Sequence, residues 1–411
     1  MVWLVDVNMG YGHQRTAYPL KSLAIDEKII NANSYEGIPN TDRKTWKTSQ
    51  KFYEFISRFK KVPLVGDLAF SIFDAFQKIL SFYPKRDLSS PNFALRQIYS
   101  LFKKGWGKDL IERLGKNPAP LISTFFIPAF MAEFLNYPGE IFCVVCDADI
   151  SRSWAPLEPQ KSKIKYFAPT ERVVERLKLY GIRTGNIFLT GYPLPAENIE
   201  YSKQDLKQRI LNLDPQKKYF EKYETLIKNT LGDLPQKSDH PLTIMFAIGG
   251  AGAQKEIGDK ILKRLAPKIK TGEIKIIISA GTKKEVKEYF DGRNAEIIFG
   301  QDINDYFQKF NQALRKTDIL WTKPSELSFY TSLGLPIIIA PFIGSQENFN
   351  QEWLLELGSA RIQKNPDYTE QWLFDELNSG WFAEAAMQGF IEGEKMGIFN
   401  IQKIILKCSG F

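Results

Sequence analysis

The alternation of short, wholly apolar runs with helical patterns constrains this chain most. Val2–Val7, Ile141–Val145, Lys165–Phe167, Ile187–Leu189, Thr243–Ile248, Ile274–Ile278, Ile297–Phe299, Ile319–Trp321 and Pro336–Ala340 all read as strands. Helical patterns lie between many of them, as at Glu171–Tyr180 and Lys255–Leu265. Strands apolar on both sides are buried on both faces, and when helices separate them they form parallel sheets covered on each face. The fold class is therefore α/β.

At 411 residues the chain is about twice a typical domain, so two cores are expected. Between Tyr201 and His240 the pattern turns polar and Lys-rich, with Asp214-Pro215 and Asp233-Leu234-Pro235, before a fresh strand runs into a glycine loop. We expect one Rossmann-like domain over 1–200, carrying a helical insertion at about 41–110. A partly helical linker or insertion follows over 201–240, then a second Rossmann-like domain over 241–380. Helices over 381–411 are expected to pack back on the first domain.

Composition narrows the setting. With 44% hydrophobic and 25% charged residues, the chain is an ordinary globular protein without long disorder. It has no run of about 18 apolar residues, so no membrane-spanning helix is expected. The first strand starts at once, with no basic n-region, so no secretory signal is expected either. Three cysteines make no disulfide framework, which points to a reducing, cytoplasmic setting. Only His13 and His240 are histidines, which limits metal sites and candidates for a general base.

The net charge of +8 is unevenly placed. Between Thr41 and Leu110 stand fourteen Lys or Arg against six acids, so this stretch holds the whole excess. It is also rich in aromatics: Phe52, Phe55 and Phe59, and again Phe70, Phe73 and Phe76, recur at helical spacing. Such a region either seats helices in an anionic lipid interface or buries its Phe face on its own domain. No nucleic-acid recognition motif accompanies the charge.

Three constellations can carry chemistry. The first is Gly10-Tyr11-Gly12-His13-Gln14-Arg15-Thr16-Ala17, directly after the first strand. Glycines there let the backbone turn sharply and approach a ligand, and His13 falls where an imidazole can take a proton from an acceptor hydroxyl. The bland reading is that His13 only packs the helix start. The second is Gly249-Gly250-Ala251-Gly252-Ala253-Gln254, again between strand and helix. Its small residues let main-chain N–H groups surround a diphosphate, although no Gly-Lys-Ser/Thr ends it as in a Walker A loop. The third is Lys323-Pro324-Ser325-Glu326, then Gly334-Leu335-Pro336 and Gln346-Glu347-Asn348-Phe349-Asn350. Ser325 suits an N-cap with Glu326 in the first turn, and Gly334-Leu335-Pro336 ends that helix. Gln346, Glu347 and Asn350 suit sugar hydroxyls, since an amide and a carboxylate together donate and accept. Cys143 and Cys146 resemble a redox or zinc pair but read as buried packing. Asp147 and Asp149, at the end of the same strand, either orient His13 or an acceptor, or make an Asx turn.

These motifs, in this order, resemble the GT-B glycosyltransferases of family 28, which act on lipid and lipid-linked acceptors. Gly10–Ala17 is similar to the family's Gly-Gly-His-x-x-x-Ala loop. Asp147 with Trp154, then Ala168-Pro169-Thr170-Glu171 and Gly191-Tyr192-Pro193, resembles the end of the acceptor domain. Gly249–Gln254 resembles the donor diphosphate loop, and Gly334-Leu335-Pro336 with Gln346-Glu347-x-x-Asn350 the donor-sugar segment. Where family members carry a ribose-binding glutamate this chain has Phe329, with Glu326 three residues earlier. A histidine common after the acceptor-domain aspartate is absent, and Arg152 and Ser153 stand nearby.

The resemblance implies a GT-B architecture, two Rossmann-like domains facing across a cleft. It implies an inverting transferase that needs no metal or cofactor. A hexose or N-acetylhexosamine would move from a nucleotide diphosphate sugar, UDP-linked, to a lipid or lipid-linked hydroxyl. In it His13 is the base, with Asp147 or Asp149 orienting it, and Gly10, Gly12 and Arg15 form the acceptor loop. Gly249, Gly250, Ala251, Gly252, Gln254 and Lys323 would meet the diphosphate. Ser325 and Glu326 would lie near the ribose, and Gln346, Glu347 and Asn350 at the sugar. Docking on the inner membrane face would fall to the basic aromatic region. A nucleotide-sugar epimerase or hydrolase of the same fold, and a non-catalytic nucleotide-sugar-binding protein, remain open.

Overall fold

The computed structural model describes residues 1–48, 78–248, 254–342 and 345–408. They form two compact units, each built on a six-stranded parallel sheet, as the apolar runs predict. The first unit comprises Met1–Pro193, Ile343–Asn350 and Met396–Phe411; the second comprises Leu194–Phe342 and Gln351–Lys395.

In the first unit the strands are β1 (Val2–Asp6), β2 (Ala24–Asn31), β3 (Leu121–Ser123), β4 (Ile141–Val144), β5 (Lys165–Ala168) and β6 (Ile187–Leu189). Their order is β2-β1-β3-β4-β5-β6, so the direction of winding reverses between β1 and β3. In the second they are β7 (Leu242–Ala247), β8 (Ile274–Gly281), β9 (Glu296–Phe299), β10 (Ile319–Thr322), β11 (Ile337–Ile339) and β12 (Ala360–Ile362). The order β12-β11-β10-β7-β8-β9 is the doubly wound pattern of dinucleotide-binding sheets, with its reversal between β7 and β10. In both sheets the central strands are the wholly buried ones, such as Leu242–Ala247. Loops at the carboxyl end of such a reversal point form the crevice where open α/β sheets bind ligands.

The unit boundaries differ from the sequence expectation in two places. The segment 201–240 is no linker: helices Ala196–Leu213 and Lys218–Leu231 lay Leu206, Ile210, Leu213, Ile227 and Leu231 into the core of the second unit. Arg209 fixes the first of these helices. Its fully buried guanidinium donates to the carbonyls of Leu314 (2.9 Å), Thr317 (2.7 Å) and Leu333 (2.7 Å). The Leu314 carbonyl also accepts from the Thr317 N–H at 3.1 Å, and the guanidinium satisfies the Thr317 and Leu333 carbonyls at the ends of their helical segments. Helix Trp381–Glu392 belongs to the same core through Phe382, Ala386, Met387 and Phe390. Only from Met396 does the chain rejoin the first unit.

Within the basic aromatic region, Trp46, Phe102 and Trp106 are buried, and the Trp46 and Trp106 rings meet edge to face at 4.8 Å. The stripes Phe52/Phe55/Phe59 and Phe70/Phe73/Phe76 lie outside the described residues. No helix among the described residues is long and apolar enough to cross a membrane.

Candidate functional site

The short helix after β1, Tyr11–Ala17, carries His13 in its first turn. Gly10 precedes it at φ +102°, a left-handed backbone that a side chain would strain. Thr16 Oγ1 donates to the Gly12 carbonyl at 2.8 Å and lies 3.1 Å from the Tyr192 hydroxyl. Arg15, expected on the acceptor loop, is buried.

His13 Nδ1 lies 2.8 Å from the carbonyl oxygen of Thr124, the residue that follows β3. A carbonyl only accepts, so Nδ1 carries the ring proton and the lone pair of the neutral ring sits on Nε2. The imidazole packs on Phe125 at 4.6 Å and Trp154 at 6.4 Å. Cys146 Sγ lies 3.5 Å from Nδ1. An imidazole with a fixed tautomer, at the reversal point of a parallel sheet, is suited to general-base work. The other histidine is engaged elsewhere: His240 lies between Asp239 (Nδ1, 2.5 Å) and Asp318 (Nε2, 3.2 Å). Burial pulls its pKa down, but the two carboxylates outweigh this and raise it.

The loop after β4 is fastened residue by residue. Asp147 Oδ1 accepts from Asn350 Nδ2 at 3.0 Å, and Ala148 N donates to Asn350 Oδ1 at 2.7 Å. Asp149 is not available to a substrate. It receives Arg176 Nε at 2.8 Å and Nη2 at 2.7 Å, and both side chains are essentially without exposure. Of the two aspartates weighed from sequence, Asp147 stays close to the base through its neighbour Cys146, while Asp149 anchors the loop. Asn350 also departs from expectation. It is fully buried, and its amide oxygen and nitrogen both bind this loop, where a sugar-binding role requires them for hydroxyls. Gln346 and Glu347, half-buried at the start of helix Ser345–Glu356, belong with Asn350 to the first unit and not to the nucleotide-sugar domain foreseen for them.

Asp6 ends β1 just before the His13 loop. Burial pushes its pKa up to about 7, and the hydrogen bond from Asn31 Nδ2 (2.8 Å) only partly offsets this. The folded state therefore holds a proton that the unfolded chain releases near the ordinary carboxyl value of 3.8. This carboxyl favours folding below that value, and its contribution is lost as pH rises towards about 7. The full shift corresponds to roughly 4 kcal/mol. Asp6→Asn keeps an oxygen for Asn31 and removes the ionisation. Urea unfolding should show the variant more stable than the parent at pH 8, with the difference shrinking by pH 4.5; equal stability at pH 8 would contradict the assignment.

In the second unit, Gly249, Gly250, Ala251, Gly252 and Ala253 lie outside the described residues. Gln254, at the loop's end, donates from Nε2 to the Pro341 carbonyl after β11. After β10 come half-buried Lys323 and the 3-10 helix Glu326–Leu333, with Glu326 8% exposed at its start. Ser325 occupies the N-cap position but makes no capping bond through its side chain, so the expected cap is absent. Gly334 ends the helix at φ +75°, where a Cβ would meet Leu206 at 2.8 Å. Phe329, at the position of the family's ribose glutamate, is buried with its ring 5.0 Å from that of Trp353.

Sequence reasoning did not single out Thr124, Phe125 or Arg176, and it read Cys146 as packing alone. Thr124 follows a strand of three residues, one of them polar, which does not stand out, and Arg176 pairs across 27 positions with no local signal. A concavity of about 1380 Å³ in the first unit is lined by Tyr137, Ile141, Ser162, Lys165 and Asn186 among others. These lie at or before the starts of β4, β5 and β6, the opposite end of the sheet from His13.

Comparison with known proteins adds a sequence likeness. A family model described as a domain of unknown function (DUF6938) matches residues 235–296. The processive diacylglycerol beta-glucosyltransferase of Bacillus subtilis is 21% identical over 269 residues, 64% of this chain and 62% of that protein. The protein of the same description from Bacillus licheniformis is 21% identical over 272 residues, with the same shares. The chain thus spans less than two thirds of the length of these relatives. Among solved structures, the UDP-GlcNAc 2-epimerase of Neisseria meningitidis bound to UDP-GlcNAc aligns with a TM-score of 0.49 at 14% identity, over 99% of this chain and 98% of that one. The chain is similar in sequence to diacylglycerol glucosyltransferases, in agreement with the family 28 resemblance that its motifs carry.

Proposed function

We propose that this protein is an inverting glycosyltransferase that moves a hexose or N-acetylhexosamine from a UDP-sugar to a hydroxyl of a lipid or lipid-linked acceptor. The observation that carries the reading is the imidazole of His13, held by the Thr124 carbonyl with its lone pair on Nε2. The likeness to diacylglycerol glucosyltransferases supports the lipid acceptor.

In the proposed reaction Nε2 takes the acceptor's hydroxyl proton as that oxygen attacks the anomeric carbon. The bond to the nucleoside diphosphate breaks, and its electron pair leaves with the diphosphate. The imidazolium that forms keeps its Nδ1 proton on the Thr124 carbonyl, which stabilises the added charge. The Gly249–Gln254 loop at the start of the 16-residue helix Lys255–Lys270, aided by Lys323, offsets the charge of the leaving diphosphate. Glu326 takes the ribose in place of the glutamate that Phe329 displaces, and Gln346 and Glu347 take sugar hydroxyls. The basic aromatic region holds the protein to the anionic, cytoplasmic face of the membrane.

The test is calorimetry and thermal shift with UDP, GDP, dTDP and ADP, followed by transfer from the matching sugar conjugates to diacylglycerol in anionic vesicles. UDP should raise the melting temperature most, since a ligand that binds only the folded state stabilises it, and UDP release should require the vesicles. Turnover of the sugar nucleotide without any acceptor would replace this reading with an epimerase or hydrolase. Binding without turnover would replace it with a carrier.

A further inference from the structure

We infer that Asn350 is a positioning residue that ties the sugar-binding segment to the loop beside the base; the inference rests on the transferase reading above. Within the first unit, four consecutive residues after β4 each have a fixed partner. Cys146 meets His13 Nδ1 at 3.5 Å, Asp147 and Ala148 are both held by Asn350, and Asp149 is held by Arg176. Ala148 is gripped twice, since its carbonyl also accepts from Thr170 Oγ1 at 2.9 Å. Asn350 fastens two of these residues with one amide, and it does so from full burial.

Its place on helix Ser345–Glu356 gives this contact a consequence. Residues three and four apart on a helix are neighbours, so Gln346 and Glu347 share a face with Asn350. The face that carries the proposed sugar ligands is therefore pinned, one turn later, to the residue next to Cys146 and so to the wall of His13. An amide suits this task because it offers an acceptor to the Ala148 N–H and a donor to the Asp147 carboxylate at once. Asp147, so held, keeps its neighbour Cys146 against the imidazole without having to touch the acceptor. A sugar that shifts Gln346 or Glu347 also shifts the aspartate, and donor recognition becomes coupled to proton removal.

Asn350→Asp tests this. The variant keeps an acceptor for Ala148 N, loses the donor to Asp147, and sets two carboxylates against each other. At low pH the pair shares one proton and the contact re-forms; at higher pH it repels. The expected result is a fall in kcat of about 10–100-fold that deepens as pH rises, with UDP affinity by calorimetry within about twofold of the parent. The exchange Asp147→Asn with Asn350→Asp restores both hydrogen bonds but moves the charge. It should recover the melting temperature and leave kcat low. A kcat for Asn350→Asp within about twofold of the parent at every pH overturns the inference. A loss that the exchange variant fully repairs supports the tie through hydrogen bonds and removes the charge of Asp147 from it; a loss that stays although the melting temperature recovers assigns that charge a part as well. The parent reading fails in a different way, through a wild-type chain that transfers nothing or a His13→Ala variant with full turnover.

Discussion

His13→Ala lowers turnover by about 10²–10⁴-fold, the range that a positioned general base contributes, while UDP binding stays at the parental value. The base cannot be replaced locally, since the other histidine is held between Asp239 and Asp318. His13→Asn separates position from chemistry. Its side-chain amide can still donate to the Thr124 carbonyl, the bond that holds Nδ1 at 2.8 Å, but it has no basic nitrogen to take a proton. Both variants should therefore be equally slow, and both should lose the acidic limb of the pH–rate profile, because the group whose deprotonation that limb reports is gone. The ring's contacts with Phe125 and Trp154 are partly lost in both. A stability change common to the two with very different rates would point to packing. A fall in turnover below about tenfold for His13→Ala would remove His13 from the role of base.

The parts of this fold legible in the sequence are those where one short run carries the whole signal. Strands buried on both faces, such as Leu242–Ala247 and Ile319–Thr322, are continuous apolar runs and can be read directly. Edge strand β2 cannot, because its centre is exposed and polar, and Asp26 and Glu27 adopt positive φ where its pairing with β1 slips. β3 (Leu121-Ile122-Ser123) and β12 (Ala360-Arg361-Ile362) are three residues each and include a polar one, unlike the equally short but wholly apolar β6 and β11. The place of the helices over 196–231 is hidden for another reason: their outward faces are rich in Lys and Glu, so composition suggests a partly helical linker while the inward faces supply a core.

The candidate site divides along the same line. His13 stands in a glycine turn after a strand, a local pattern, and the topology puts it at the reversal point. The partners that give it a direction are distant in sequence: Thr124 is 111 positions away and Cys146 is 133. Asp147 and Asn350 are 203 apart. Asp147 and Asp149, two positions apart, would share one face of an extended segment, but 147–149 form a bend, and the packing of helix Glu171–Leu179 decides which of them meets a cation.

That decision leads to the largest expected effect on stability. Arg176→Met destabilises the protein by about 3–5 kcal/mol, the cost of leaving one partner of a buried ion pair without its counter-charge. The pair is bidentate and its side chains are 0% and 1% exposed, so water cannot take over the arginine's role. The same guanidinium also donates to the Leu80 carbonyl at 2.9 Å and lies 5.1 Å from the Phe82 ring, so the variant releases that segment as well. The Asp149 carboxylate is then left in full burial without its counter-charge. The double variant Asp149→Leu with Arg176→Met should regain much of the loss, since an apolar pair of similar volume needs no desolvation of charge. Asp147→Asn provides the contrast: it should slow turnover and leave unfolding nearly unchanged. A loss below about 1 kcal/mol for Arg176→Met would mean that Asp149 finds another partner. It would then return to consideration as a group that acts beside His13.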